Sequence, residues 1–316
     1  MTLLLIHAGG TIGMTQTATG FAPAPGVVED HVRDRVASGD LPSADIRVLE
    51  PLIDSANATP EDWDRIARIV HEEHDRYDAF VVTHGTDTLA YTSAALCYAL
   101  EGLAKPVILT GSMLPLTVDG SDGPSNIRDA MQQAVAAQPG VRVQFSGRFL
   151  HGARVRKTHS RNLDAFAADP SDVAPCRPGR ALRVHSPALA DIAVLAVAPG
   201  MSETLVRHAA ALCDGIVLRC YGSGTVPHVE GLRKALATAW ERQCPVVAVS
   251  QCPEGGLALG TYSAGAMLTE FNVVDGRDMT IEAAYAKLAY VLAETDDFTT
   301  RLERLQQPVC GELTIS

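Results

Sequence analysis

The chain has 316 residues, 47% of them hydrophobic, with 26 Lys or Arg against 37 Asp or Glu and a formal net charge of −11. At roughly 150 residues per domain this length predicts two domains, and the apolar content suffices for a core in each. The acidic balance argues against nucleic-acid binding, which needs clustered Lys and Arg, and no apolar run reaches the ~18 residues of a membrane span.

Seven cysteines, at 97, 176, 213, 220, 244, 252 and 310, form no CxxC pattern, and several lie in apolar runs. An odd, scattered set is expected of reduced thiols in a cytoplasmic protein rather than of a disulfide framework. The opening MTLLLIHAGG lacks a basic segment and is too short in its apolar run for a signal peptide.

Leu3–Ala8 reads as a strand that stops at Gly9-Gly10-Thr11-Ile12-Gly13. Glycine allows positive φ and close approach of a backbone to a ligand. The pattern is neither GxGxxG nor a Walker loop, so neither a dinucleotide nor a P-loop site is indicated. Residues 14–26, rich in Thr, Ala, Gly and Pro, read as a mobile loop long enough to form a lid. Val27–Ala37 has helical spacing, and Asp45–Glu50 reads as a strand that leads to the polar end Asp54-Ser55-Ala56-Asn57. Thr59-Pro60-Glu61-Asp62 is a helix start with a cap, a proline at the first position and acids in the first turn. His71-Glu72-Glu73-His74 has the wrong spacing for the HExxH zinc motif and reads as a solvated helix end.

Ala79–Glu101 is the stretch around which the chain is organised. Ala79-Phe80-Val81-Val82 predicts a buried strand, Thr83-His84-Gly85-Thr86-Asp87-Thr88 a polar turn, and Leu89 onward a helix. Open α/β folds bind ligands outside the carboxyl ends of their strands, next to unpaired N–H groups of the following helix. Pro106–Leu109 is the next strand and ends at Thr110-Gly111-Ser112. The acids of Val118–Gly123 lack EF-hand spacing and read as a turn with a helix cap before a helix to about Gln138. Val141–Phe145 and Arg148–Leu150 read as a strand pair, followed by extended Ala153–Lys157. Residues 158–190 are polar and carry four prolines, so the linker is placed at 181–190, between domains 1–180 and 191–316. Beyond it, strands Ile192–Val197, Gly215–Arg219 and Pro245–Ser250 alternate with helices near Ser202–Leu212, Glu230–Gln243 and Ile281–Glu294, with a last helix in Thr295–Gln306. This alternation predicts an α/β chain with mostly parallel sheets in a larger N-terminal and a smaller C-terminal domain.

Four strand ends of the first domain carry polar groups: Thr11, Asp54-Ser55, Thr86-Asp87 and Lys157. Parallel topology places strand ends along one edge, so they can converge. A threonine hydroxyl needs a base to become a nucleophile, and a neutral lysine amine can serve. The reference lysine pKa is about 10.4, and a nearby Asp favours the charged amine. Asp87 would therefore orient Lys157 while making it a weaker base.

Gly9–Met14, Asp54-Ser55, His84–Thr88 and Lys157 resemble the signature segments of the L-asparaginase family, closest to its bacterial, cytoplasmic type I branch. The likeness continues through Thr59–Trp63, Ser121–Gly123, Tyr221-Gly222, Ser250–Cys252, Asp278–Thr280 and Gly311–Thr314, and so spans nearly the whole chain. The resemblance implies hydrolysis of L-asparagine to L-aspartate and ammonia with no metal or organic cofactor. Thr11 would be the primary nucleophile and Thr86, Lys157 and Asp87 a second triad. Ser55 would bind the substrate carboxylate and Asp87 its ammonium, with Asp54 and Ser112 as further candidate substrate contacts. It also implies homodimers or homotetramers, with sites completed at subunit contacts, and a second, regulatory asparagine site in type I relatives. Relatives carry a lid Tyr after a Gly, where this chain has Phe21 after Gly20. Either turnover is slower, or the lid is shifted, or another tyrosine such as Tyr262 serves. Attack by Thr or by an activated water stays open. So do two other functions. One is an ammonia-generating subunit of a tRNA-dependent amidotransferase, which should carry a further N-terminal domain. The other is an asparagine-binding regulator with impaired catalysis.

Overall fold

Every residue of Leu3–Gly9 is buried, so this strand has no face for solvent and must lie inside a sheet. The computed structural model describes residues 2–315. The chain divides into two compact units, Met1–His185 and Ser186–Ser316.

The first unit begins with β1 (Leu3–Gly9), β2 (Met14–Thr17), β3 (Gly20–Pro23), α1 (Val27–Ala37), β4 (Ala44–Ile53), α2 (Pro60–Glu72), β5 (Ala79–Thr83) and α3 (Leu89–Ala99). It continues with β6 (Leu100–Glu101), β7 (Pro106–Thr110), α4 (Gly123–Ala136), β8 (Gly140–Phe145), β9 (Arg148–His151), β10 (Val155–Lys157), β11 (Phe166–Ala168) and β12 (Arg183–Val184). The main sheet runs β4-β1-β5-β7-β8-β9, parallel except for β9. After β1 the chain adds β4 on one side, then crosses to add β5 on the other. The carboxyl ends of β1 and β5 therefore flank the point where strand order reverses, the usual place for a ligand crevice.

Strand alternation supplies the core. Leu3, Leu5, Ala79, Val81 and Ile108 pack against Val28 and Val32 of α1 and Ile127, Ala130 and Met131 of α4. Leu4, Ile6, Phe80 and Val82 point the other way and are equally buried. Removing one such Ile or Leu side chain costs ~2–5 kcal/mol through lost burial and the cavity left behind.

Two expectations for this unit change. Residues 14–26 are not an irregular loop: β2 and β3 form an antiparallel hairpin that pairs Gln16 with Phe21. Its turn is closed by Thr17 Oγ1 donating to the Gly20 carbonyl at 2.6 Å. Its base is tied by Ala24 N–H to the Gly13 carbonyl at 3.0 Å and Thr117 Oγ1 to the Met14 carbonyl at 3.1 Å. The strands are short and their alternation is weak, so periodicity alone did not mark them. The polar stretch after Lys157 is also structured. β11 pairs with β10, β12 pairs with β6, and His185 Nε2 meets Glu101 Oε2 at 2.6 Å. The partners of β12 and His185 lie more than 80 residues away and leave no local pattern, and β10 and β11 are only three residues each.

The second unit contains β13 (Ile192–Ala196), α5 (Glu203–Leu212), β14 (Gly215–Cys220), α6 (Glu230–Glu241), β15 (Val246–Ser250), α7 (Ala266–Glu270), β16 (Val274–Asp275), α8 (Ile281–Glu294) and α9 (Phe298–Gln306). Its four strands are all parallel, in the order β13-β14-β15-β16. Ile216 and Leu218 face Val206, Leu232 and Leu236, whereas Val217 and Val247 face Leu288, Val291 and Leu305. The fold class is thus mixed α/β with parallel-dominated sheets in both units, as the strand–helix alternation predicts.

Candidate active site

Three backbone turns meet at the carboxyl ends of β1, β4 and β5, and two glycines make the meeting possible. Gly10 follows β1 with φ +97°, and a Cβ there would lie 2.5 Å from the Gly85 nitrogen. A Cβ on Gly85 would lie 2.3 Å from Ser55 Oγ. Any side chain at either position would force the turns apart. Gly9 packs likewise, since its Cβ would lie 2.3 Å from the Ile53 carbonyl oxygen. The turn bearing Thr11 is therefore held backbone to backbone against the turn bearing Thr86, with Ser55 beside both.

Thr11 opens a short 3-10 turn, Thr11–Gly13, and is partly exposed. Ser55 is buried and opens a second 3-10 turn, Ser55–Asn57. Thr88 Oγ1 donates to the Ser55 carbonyl at 2.8 Å and locks that turn to the one after β5. Thr86, Asp87 and Thr88 sit at the amino end of α3, where unpaired N–H groups and the positive dipole end favour an anion.

Lys157, at the end of β10, joins this group. Its Nζ lies 2.9 Å from Thr86 Oγ1 and 2.9 Å from Asp87 Oδ1. The side chain of Lys157 is 22% exposed and that of Asp87 63%. Thr86 is buried, so the amine links a sheltered hydroxyl to an open carboxylate. β10 is braced by its pairing with β11 and by Arg156, whose guanidinium meets Asp169 at 3.1 Å.

Beneath the turn lie two buried histidines. His84 Nδ1 is 2.8 Å from the Gly85 carbonyl and Nε2 is 3.0 Å from Thr92 Oγ1. His7 Nδ1 is 2.7 Å from Thr83 Oγ1. Burial lowers the pKa of both imidazoles below the ordinary histidine value. For His84 the Gly85 carbonyl opposes that shift, and for His7 the charge of Glu29 does. Both rings are therefore neutral at pH 7 and add no positive charge under Lys157.

The remaining sequence-derived candidates are placed differently. The Asp54 carboxylate caps its own turn, accepting from Ala56 N–H at 3.1 Å and Asn57 Nδ2 at 2.7 Å. Ser112 is buried, and its hydroxyl donates to the Leu114 carbonyl at 2.6 Å. Asp122 accepts from the N–H groups of Met113 and Leu114 at 3.0 Å and so orders the loop before α4. Phe21 lies on the hairpin after Gly20 and is 47% exposed. Tyr262 belongs to the second unit, where it precedes a 3-10 turn and is 57% exposed. At the supposed solvated helix end, Glu72 and Glu73 pair with Arg47. Among the described residues no group of three or more His, Cys, Asp and Glu is arranged to hold a metal.

Sequence reading did not single out His84, the Gly10–Gly85 contact or the bond from Thr88 to Ser55. The glycines were visible, but what a Cβ would strike depends on a distant segment.

Residues 2–185 match the family described as Asparaginase, N-terminal, and residues 191–304 match the Glutaminase/Asparaginase C-terminal domain. L-asparaginase 1 of Escherichia coli (strain K12) is 35% identical over 99% of this chain and 98% of that protein. Among solved structures, the thermostable L-asparaginase from Thermococcus kodakarensis superposes with a TM-score of 0.86 at 35% identity, covering 100% of both chains. L-asparaginase I from Vibrio cholerae O1 biovar eltor gives a TM-score of 0.87 at 32% identity over 99% of each.

Proposed function

The chain belongs to the asparaginase family, and from that premise we propose that it is an L-asparagine amidohydrolase, converting L-asparagine and water to L-aspartate and ammonia. The observation that carries this reading is the Thr86–Lys157–Asp87 arrangement, with both contacts of Nζ at 2.9 Å, packed against the turn that bears Thr11.

Thr11 is the first nucleophile. Its oxygen attacks the side-chain amide carbon, the C–N bond breaks, and ammonia leaves with a proton. Water then attacks the resulting ester, which releases aspartate and restores the hydroxyl. Thr86 and Lys157 move protons in this sequence, and Lys157 acts in its amine form. Backbone N–H groups of the two turns stabilise the negative charge that develops on the amide oxygen.

Asp87 has two duties that fit its exposure. In the free site it holds Lys157 Nζ at 2.9 Å and so orients the amine toward Thr86. With asparagine bound, its exposed carboxylate takes the substrate ammonium. Ser55 takes the substrate carboxylate. No metal or organic cofactor is required. Phe21 has no hydroxyl to offer Thr11, so the hairpin contributes enclosure, and turnover is slower than with a tyrosine there. We extend the homo-oligomeric assembly of the family to this chain. A cytoplasmic setting agrees with its free cysteines, and no helix of the described residues is long and apolar enough to cross a membrane.

Ammonia release from L-asparagine, with L-glutamine as the comparison substrate, tests the reading. Thr11→Val and Thr86→Val should each abolish release while cooperative unfolding is retained. Full activity in either variant would refute the assigned roles.

A further inference from the structure

Thr92 and Ser93 are adjacent on α3, fully buried, and surrounded in that helix by Leu89, Ala90, Ala94, Ala95 and Leu96. Hydroxyls buried in a helix commonly bond back to a carbonyl of their own helix. These two reach outward instead, in different directions.

Thr92 Oγ1 lies 3.0 Å from His84 Nε2, and His84 Nδ1 lies 2.8 Å from the Gly85 carbonyl. A carbonyl only accepts, so the proton is on Nδ1 and Nε2 accepts from Thr92. The helix thereby holds the Gly85–Thr86 peptide through one imidazole. Ser93 Oγ donates to the Gly152 carbonyl at 2.9 Å. Gly152 is itself tied to the sheet: its N–H donates to the Val141 carbonyl at 3.1 Å, so closely packed that a Cβ there would lie 2.3 Å from that same oxygen. The chain then runs directly into β10 and Lys157. Two neighbouring positions on one rigid helix therefore anchor both arms of the Thr86–Lys157 contact.

We propose that Thr92 and Ser93 are positioning residues that set the separation between Thr86 Oγ1 and Lys157 Nζ. This rests on the reading of Thr86 and Lys157 as a reacting pair. Neither residue touches that pair directly; each acts through another group. A displacement of about 1 Å at a reacting pair costs up to about 100-fold in rate, and loss of one anchor should produce part of that.

The test is steady-state turnover of L-asparagine by the full chain, with thermal unfolding measured in parallel. Thr92→Val and Ser93→Ala should each lower kcat about tenfold and leave KM within about twofold. Thr92→Ser, which keeps the hydroxyl, should restore kcat. In a Lys157→Met background, Thr92→Val should lower the residual rate no further. Unchanged kcat in a folded Thr92→Val protein overturns the proposal, as does a loss that Thr92→Ser does not repair. If Thr92→Val and Thr92→Ala both fail to fold while Thr92→Ser folds, the hydroxyl serves stability alone and the proposal is also overturned. A wild-type chain with no ammonia release refutes the amidohydrolase reading itself, and the positioning role with it. An active wild type with unaffected variants refutes only the positioning role.

Discussion

Lys157 and Lys287 each hold a carboxylate at close range, Asp87 at 2.9 Å and Glu312 at 2.7 Å, yet their surroundings differ in kind. The Lys287 and Glu312 side chains are 1% and 0% exposed. Lys287 Nζ also donates to the Leu305 carbonyl at 2.9 Å and the Gln307 carbonyl at 2.5 Å. An ammonium has three donors, and here all of them meet acceptors that carry no proton. Glu312 accepts in turn from the N–H groups of Val309 and Cys310 at 3.0 Å and 2.8 Å. Burial pushes its carboxyl pKa up, but the Lys287 ammonium and these N–H groups outweigh burial and hold it below the ordinary value. This pair fastens the chain end to α8. Lys157 instead meets a hydroxyl, which can lose a proton, and a carboxylate left open to a substrate. Separation alone does not distinguish the lysine proposed to react from the fastener; the chemistry and exposure of the neighbours do.

The comparison breaks most directly by exchanging the consequences. Lys157→Met should reduce kcat for L-asparagine about 1,000-fold or more and leave the urea midpoint unchanged, read by ammonia release and denaturation on the same sample. Near-normal turnover would remove Lys157 from the chemistry. Lys287→Met should do the reverse, costing ~3–5 kcal/mol of stability because it strands a buried carboxylate, with normal turnover in whatever fraction stays folded. Adding Glu312→Gln should recover part of that loss, since it removes the unpaired charge and keeps an acceptor for the Val309 and Cys310 N–H groups.

Acid separates the regions on a second axis. His84 and His7 have folded pKa values lowered from 6.5, so the unfolded chain takes up protons first. Their contribution is intact above pH 6.5 and declines as pH falls below it toward the folded values. Glu312, lowered from 4.5, contributes fully above 4.5 and loses its share only as pH falls through its folded value. Urea unfolding between pH 5 and 7.5 should therefore show a decline, to which His31 and His74, likewise lowered by burial, also contribute. A decline no smaller in a folded His84→Gln variant would mean that the ring beneath the turn has no part in it. The smallest effect is expected at the hairpin. Phe21→Tyr should raise kcat about two- to tenfold, the range of one added hydrogen bond, and no gain would mean position 21 does not limit turnover.

Much of the fold and half of the candidate site were legible in the sequence, for a local reason. The run Ala79–Thr83 followed by Thr86-Asp87 and Leu89 announces strand, turn and helix because each state is written in neighbouring residues. Thr59-Pro60-Glu61-Asp62 announced its helix in the same way, and Thr59 N–H does donate to Asp62 Oδ2 at 3.0 Å. The hairpin at 14–23 escaped because its strands are four residues each and carry no apolar alternation, and a threonine bond closes its turn.

The sequence by itself determined the parallel α/β alternation and the family signature, because periodicity and turn chemistry act over a few residues. Only the tertiary structure decided which polar groups meet. Lys157 reaches Thr86 across 71 residues, Ser93 reaches Gly152 across 59, and Gly85 admits Ser55 because neither Gly10 nor Gly85 has a Cβ. It likewise turned Asp54 into a cap and Lys287 into a fastener. A side chain's role follows from the atoms that surround it, and for these residues those atoms come from segments far along the chain.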